Sequence, residues 1–326
     1  VEGHILNNLF LELMRWVYNL TAVLSPEGFG SVVLTITLCT LFLRALTIFS
    51  DIKTRKSSMD MAAIQPELQK IQKKYANDPR RAQVEQNKLM KERGVSMWGS
   101  CLPMLITMPL FFCFFAAFRY WGSEMTLRLL VDENAMGLFK SFRFLWINNI
   151  WQPDNGFMPV IAEGKTFLAT ADLSKLLYLN NTPGVWEKLV DIGIALKSVS
   201  GGALGYRIIN TEASVAAFDS AMQVYRDLYA GYNNGWFLMA ILAGGTNFLS
   251  AWMMQKSQPQ TAANDQTAKS TKWMNYLFPV MSFVFCLSNN AAFAIYWTFS
   301  SVLMIAINLV LNKKFPRPAA VQEDKK

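Results

Sequence analysis

Five stretches of this chain are too apolar to rest in water, and they decide what it can fold into. A helix needs about 20 mostly apolar residues to cross roughly 30 Å of hydrocarbon. Residues 29–50 meet that requirement with Arg44 as the charge inside the run. Residues 98–121 follow, carrying Pro103 and Pro109, which a packed transmembrane bundle tolerates as kinks. A third span is expected at 236–254, where Gly244-Gly245 permits close helix contact. The last apolar block is too long for one crossing and is broken by Ser288-Asn289-Asn290, so it reads as spans 273–288 and 291–312 turning tightly between them. The composition agrees: 52% of residues are hydrophobic and 17% charged, against roughly 25% charged in a soluble domain.

Charge then gives orientation. The formal net charge of +8 is unevenly spread. Residues 53–93 hold 11 Lys/Arg and 5 Asp/Glu; 255–272 and the tail 313–326 are also basic. Residues 1–28 and 122–235 are mildly acidic, the latter with 9 basic and 11 acidic residues. Span count and the positive-inside rule both put the N-terminus outside and the C-terminus in the cytoplasm. The basic excess is therefore a topology signal before it is a nucleic-acid signal.

The connecting segments have characters of their own. Residues 1–28 contain an amphipathic stretch with Arg15, Trp16 and Tyr18, suited to a helix lying in the outer interface. In 53–95, Ile64, Leu68, Ile71 and Tyr75 repeat at helical spacing, Asn77-Asp78-Pro79 breaks the chain, and a second helix ends before Gly94. That predicts a cytoplasmic helical hairpin. Its Lys70, Lys73, Lys74, Arg80 and Arg81 form either a solvated face near anionic headgroups or a partner-docking surface. The outer segment 122–235 has helix-like stretches at Asp172–Leu179, Val185–Leu196 and Ser214–Tyr229, with turns at Asn180-Asn181 to Pro183-Gly184 and at Ser200-Gly201-Gly202. A lid or small extracytoplasmic domain is expected there, and no sixth span. No basic stretch precedes an apolar one after Val1, so any targeting segment lies outside this sequence.

Arg44 is the residue that most needs a reason. A guanidinium in hydrocarbon costs from about 3 to above 10 kcal/mol by different measures. It either snorkels to the inner headgroups or lines a water-accessible cavity. No acidic residue lies in the five apolar cores to neutralise it. Thr40 is one turn away on the same face. Thr37 lies on the same span, Thr107 on the second, Asn247 on the third, Ser282 on the fourth, and Thr298, Ser300 and Ser301 on the fifth; together they can wet one side of the bundle. Cys39, Cys101, Cys113 and Cys286 fall in or beside apolar runs and read as buried free thiols. His4 is the single histidine, which argues against a zinc site or a histidine triad, and no Walker or phosphate-binding glycine motif occurs.

The order of Gln65–Tyr75 (QPELQKIQKKY), Gln86–Val95 (QNKLMKERGV) and Gly99–Phe112 (GSCLPMLITMPLFF) resembles the YidC/Oxa/Alb family of membrane protein insertases. So do Phe278-Pro279-Val280-Met281 leading into Ala294-Ile295-Tyr296-Trp297, Leu145-Trp146-Ile147 followed by Gln152-Pro153-Asp154, and the late arginine of the first span. The resemblance covers roughly residues 25–154 and 233–315, leaving Gly156 to Gly235 unmatched. It implies an all-α polytopic membrane protein: a five-helix transmembrane core with a cytoplasmic helical hairpin and, here, an enlarged extracytoplasmic segment. The core would surround a hydrophilic groove open to cytoplasm and lipid. Arg44 takes the place of the groove arginine and Thr40 that of a polar groove position. A client-contacting slide would use Leu105, Met108, Phe111, Phe112 and Phe115 on the second core span and Tyr276, Val280 and Phe283 on the fourth. Tyr296 and Trp297 fall near the client path. Longer basic tails in the family assist ribosome binding, and Lys313 and Lys314 offer a modest version.

The expectation is an insertase of the bacterial plasma membrane that performs no bond chemistry and needs no cofactor or metal. Nascent membrane protein clients and membrane lipids are its expected partners, with the Sec translocon and the ribosome as further ones. No specific nucleic-acid sequence and no small-molecule substrate is expected. Two rivals remain open: a channel or small-solute transporter, marked by a continuous two-sided polar path or ion coupling, and a structural scaffold for membrane complexes. An intramembrane hydrolase lacks its residues.

Overall fold

A computed structural model of the chain describes residues 2–24, 31–95, 98–169, 173, 176–200, 203–257 and 265–314. Inside its helices and strands, the side chains at 2–8, 54–55, 58, 62, 98–111, 177–178, 199–200, 203–204, 254–257 and 265–275 lie outside that description, as do those of His4, Cys101 and Thr107 among them. The fold is mostly helical, as expected. The chain divides into two compact units, one of Val1–Cys39, Phe112–Leu242 and Phe283–Trp297, the other of Thr40–Phe111, Ala243–Ser282 and Thr298–Lys326.

In the first unit, helix α1 (Glu2–Ala22) buries Leu11, Met14, Val17, Tyr18 and Thr21, the i, i+3, i+7 stripe of an amphipathic helix, while Trp16 and Leu20 stay exposed. Phe10 packs on Phe114 with ring centroids 4.5 Å apart, and Tyr18 meets Trp121 edge-on at 5.8 Å. Arg15 completes the contact with an ion pair to Glu124, its Nε donating to Oε2 at 3.0 Å. Glu124 is almost wholly buried, and burial raises its carboxyl above the ordinary value although Arg15 pulls it down. The sign follows. A carboxyl raised in the folded state adds stability below its ordinary value and loses that contribution as pH climbs through the raised one. The wild type should gain stability relative to Glu124→Gln as pH falls from 7 to 5. Melting curves of the two proteins across that range test it, and a gap that stays flat or widens against the wild type counts against the burial argument.

Helix α2 (Val32–Lys74) is a single 43-residue helix, about 64 Å long at 1.5 Å per residue. The expected span and the first helix of the hairpin are thus one element, since no glycine interrupts residues 50–74 and Pro66 is absorbed within the helix. Roughly half of its length exceeds the hydrocarbon thickness. The chain turns at Asn77, and Asp78 caps α3 (Pro79–Glu92) by accepting from Arg81 N at 3.1 Å, with Pro79 in the first turn. In the second unit, Met90 of α3 packs with Met61, Ile64 and Leu68 of α2 in a small core, with Leu89 and Val95 at its edge. Ile71 and Tyr75, expected on that stripe, are only half-buried; Tyr75 instead lies under Lys74 and Arg81 at 5.4 and 5.2 Å.

Helix α4 (Trp98–Val131) runs ten residues past the expected end of the second span, because nothing after Trp121 breaks a helix before Asp132. Gly122 allows the close approach there: a Cβ would stand 3.2 Å from the Trp151 ring and 3.0 Å from Asn290 Nδ2. The remaining outer segment folds as α5 (Ala135–Lys140), α6 (Gly164–Ala169), α7 (Leu177–Asn181), α8 (Val185–Ile192), strands β1 (Ala195–Ser200) and β2 (Ala203–Ile208), and α9 (Glu212–Asp227). Its core holds Phe139, Phe142, Phe167, Leu189, Phe218 and Met222.

The antiparallel pair β1–β2, in register Ala195↔Ile208, is a departure from the helix-only expectation. The stretch Val185–Leu196 was expected to be helical throughout, but Gly193 at φ 92° ends α8 and turns the chain into β1. The expected turn residues Gly201 and Gly202, and most of Asp172–Lys175, lie outside the described residues. Three apolar helices follow: α10 (Leu238–Ser257), α11 (Asp265–Ser288) and α12 (Ala291–Lys314). Helix α11 begins eight residues before the expected span, and the tail from Phe315 lies outside the described residues. Among the described residues, Val32–Lys53 and Ala291–Lys314 are long and apolar enough to cross a membrane, with shorter apolar stretches at Leu238–Met253 and Tyr276–Ser288.

Candidate functional site

Arg44 is half-buried on α2, within an apolar stretch of the sequence. An isolated guanidinium there would be costly, and a hydrogen-bonding partner lowers that cost. The partner is on α12: Arg44 Nη2 donates to Ser300 Oγ at 2.6 Å and lies 3.4 Å from the Ser300 carbonyl oxygen. Ser300 belongs to the polar group Thr298, Ser300 and Ser301 within a mostly apolar helix, which was the sequence signal for it.

A second partner was missed by counting acids only within the apolar cores. Asp51 sits seven residues after Arg44, two helical turns along the same face. Asp51 is half-buried, and its Oδ2 is shut away from solvent with no hydrogen-bond donor among the described residues. The positive charge of Arg44 therefore lies in a dipolar setting of hydroxyl and carboxylate.

The other expected groove residues divide. Asn247 of α10 and Ser282 of α11 are joined, Asn247 Nδ2 donating to Ser282 Oγ at 2.9 Å, while the Ser282 hydroxyl donates to the Phe278 carbonyl at 2.8 Å. That pair is a polar tie between two apolar helices, the role such residues often take in membrane bundles. Thr37 spends its hydroxyl on the Val33 carbonyl at 2.8 Å, within its own helix. Thr40 is buried one turn before Arg44. Thr107 is on α4, with its side chain outside the description, as are those of Leu105, Met108 and Phe111.

On α11, Tyr276, Phe278, Val280, Met281 and Val284 are exposed, and so is Phe112 on α4. Phe115 and Phe283 are half-buried, Phe115 meeting Phe285 edge-on at 6.0 Å. Tyr296 stacks flat on Phe114 at 5.2 Å. Trp297 is only 8% exposed, with its ring 5.3 Å from Phe293, so it presents little surface to a client. Lys70, Lys73, Lys74, Arg80, Arg81, Lys313 and Lys314 all stand exposed at helix surfaces.

A family model described as 60Kd inner membrane protein matches residues 24–189 and 203–318 of the chain. The chain belongs to the YidC/Oxa family. The match runs through much of the outer segment from Gly156 to Gly235, which the sequence motifs alone left unplaced. Within 122–235 the match omits 190–202, the end of α8 and strand β1, while β2 lies inside it. Curated relatives in the family carry the name membrane protein insertase YidC. One from Clostridium perfringens is 33% identical over 172 residues, 52% of this chain and 66% of the relative. Another from Oceanobacillus iheyensis is 38% identical over 115 residues, 34% of this chain and 44% of the relative. One from Chloroherpeton thalassium is 24% identical over 299 residues, 92% of this chain but 35% of the relative. These matches span less than two thirds of the relatives' own lengths. The family places this chain among bacterial membrane proteins.

Proposed function

We propose that this chain is a membrane protein insertase and chaperone, which lets client segments enter the bilayer without bond chemistry. The observation that carries the reading is Arg44: a half-buried guanidinium on a membrane-length helix, hydrogen-bonded to Ser300, in a chain of the YidC/Oxa family. In this reading Arg44 and Thr40 line a hydrophilic groove open to the cytoplasm and the lipid. A client's polar tail is held transiently at Arg44 while its apolar segment slides over Phe112, Tyr276 and Val280, which are exposed. Release outward is favoured as the client helix enters lipid, and the membrane potential adds about 2.3 kcal/mol per charge per 100 mV for acidic tails.

The topology that goes with it is N-terminus outside and C-terminus cytoplasmic in the bacterial plasma membrane, with five core spans and the α2–α3 hairpin on the cytoplasmic side. The exposed lysines and arginines of that hairpin and of the end of α12 then face anionic headgroups, the ribosome or the Sec translocon. Charge distribution supports this side assignment.

The test is reconstitution of the purified protein into liposomes with a small client bearing an acidic N-terminal tail. Protease protection of the tail reports insertion. Wild type is expected to insert the client well above empty liposomes, and Arg44→Ala to slow it several-fold. Insertion no faster than in empty liposomes, by a protein with an unchanged melting curve, would overturn the reading.

A further inference from the structure

Four large side chains stand out around the start of α10. Phe157 is 88% exposed, Trp236 71%, Tyr232 69% and Leu145 61%. They are not on loose ends. The Phe144–Ile147 pair exchanges backbone hydrogen bonds of 3.0 and 2.8 Å, closing a two-residue turn with Leu145 at its tip. Asn234 N donates to the Met158 carbonyl at 2.9 Å, and the Phe157 ring meets that of Phe237 at 5.5 Å. One carboxylate joins both parts: Asp154 accepts from Trp146 Nε1 at 3.1 Å and from Trp236 N at 2.7 Å.

The backbone is strained to hold this arrangement. Leu145 at φ 51° and Phe237 at φ 65° are bulky residues held in the left-handed region, which such side chains rarely adopt. A water-facing surface gives no reason to spend strain on exposing aromatics.

Charge supplies an independent observation. Residues 144–162 and 228–242 contain a single charged residue, Asp154, and it is fully buried. A water-facing surface of that extent would carry charge at roughly a quarter of its positions. The patch also continues directly into the exposed apolar positions Leu238, Ile241 and Leu242 of α10. Trp and Tyr favour the depth where headgroups meet acyl chains, their rings apolar and their N–H and O–H groups wet.

We infer that Leu145, Phe157, Tyr232 and Trp236 form a rigid anchor that seats in the headgroup–acyl boundary of the bilayer at the N-terminal end of α10. This fixes the depth of α10 and holds the adjoining outer segment against the membrane. The inference rests on α10 spanning the bilayer, so its test carries a control for that.

The experiment is nitroxide labelling of Phe157→Cys in the full chain in lipid nanodiscs, comparing collisions with oxygen and with a water-soluble nickel chelate. Wild type treated with the same reagent gives the background. Labels at Val224→Cys, exposed on α9, and Phe248→Cys, exposed on α10, mark water and hydrocarbon. The label at 157 is expected about 5–10 Å into the headgroup–acyl boundary, and one at Leu145→Cys at similar depth. Labels at 157 and 145 as wet as that at 224, with 248 in hydrocarbon, would overturn the anchor while leaving the span, and would point to a protein partner for the patch. A wet label at 248 would remove the span and the anchor together.

Discussion

Asp154→Ala should lower the melting temperature on the order of 10 °C, the largest stability effect expected of a single polar substitution in this chain. The carboxylate is fully buried and accepts three hydrogen bonds, from Trp236 N at 2.7 Å, Met239 N at 2.6 Å and Trp146 Nε1 at 3.1 Å. Two of those donors are backbone N–H groups at the start of α10, where a negative charge also meets the positive end of the helix dipole. Truncation leaves three donors without their acceptor, one of them the buried Met239 N–H, and opens a void. At about 1.5–3 kcal/mol for each hydrogen bond to a charged group, and with less than full additivity, the loss is about 3–5 kcal/mol. At about 2–4 °C per kcal/mol, that gives the stated shift.

Gly235→Ala should act in the same direction without touching the carboxylate. A Cβ there would run into Asp154 Oδ1, so the alanine must push the carboxylate from its donors. Glu67→Ala is the control, since its ion pair with Arg93 is exposed on both sides and such pairs contribute little. A shift under about 2 °C for Asp154→Ala, similar to that of Glu67→Ala, would show that the connection to α10 does not depend on this carboxylate.

Nothing in the sequence near Asp154 announces this role. Its donors at 236 and 239 lie more than 80 residues away, and pairings of that separation leave no local trace. The apolar helices were legible because a continuous apolar run leaves a plain trace in the sequence, and α10, α11 and α12 overlap those runs, α11 starting eight residues ahead of its run. Their ends were less legible. Helix α4 continues to Val131 and α2 to Lys74 because nothing in those residues stops a helix, and a membrane boundary is not a helix terminus. The β1–β2 hairpin was hidden because Val185–Leu196 is apolar in a pattern that suits either element, and Gly193 was not read as a stop. Arg44 could be singled out from its cost in hydrocarbon alone. Choosing Ser300 over Thr298 or Ser301 as its partner required the rotation of α12 about its axis, which periodicity does not set. Asp51 was overlooked because it falls just beyond the apolar run.

That overlooked carboxylate leads to an effect opposite in sign for two kinds of client. Arg44 and Asp51 are separated by seven residues, a rise of about 10.5 Å, and lie on one face of α2. At that spacing two unit charges interact by about 1.6 kcal/mol at an effective dielectric of 20, and by about 0.4 in bulk water. In the proposed reading Asp51 offsets part of the field that Arg44 presents to a client tail beside it. In the liposome assay Asp51→Asn should speed insertion of an acidic-tailed client by roughly 2- to 15-fold, the same energies expressed as a rate ratio. It should slow a client whose tail carries lysine in place of those acids. Arg44→Glu should invert the preference altogether, favouring the basic tail. If Asp51→Asn moved both clients in the same direction, Asp51 would be acting on the folding or position of α2 and not on the charge of the path. If neither variant altered the ratio between the two clients, the electrostatic role of Arg44 would fall, and the work of insertion would rest on the apolar face of α11.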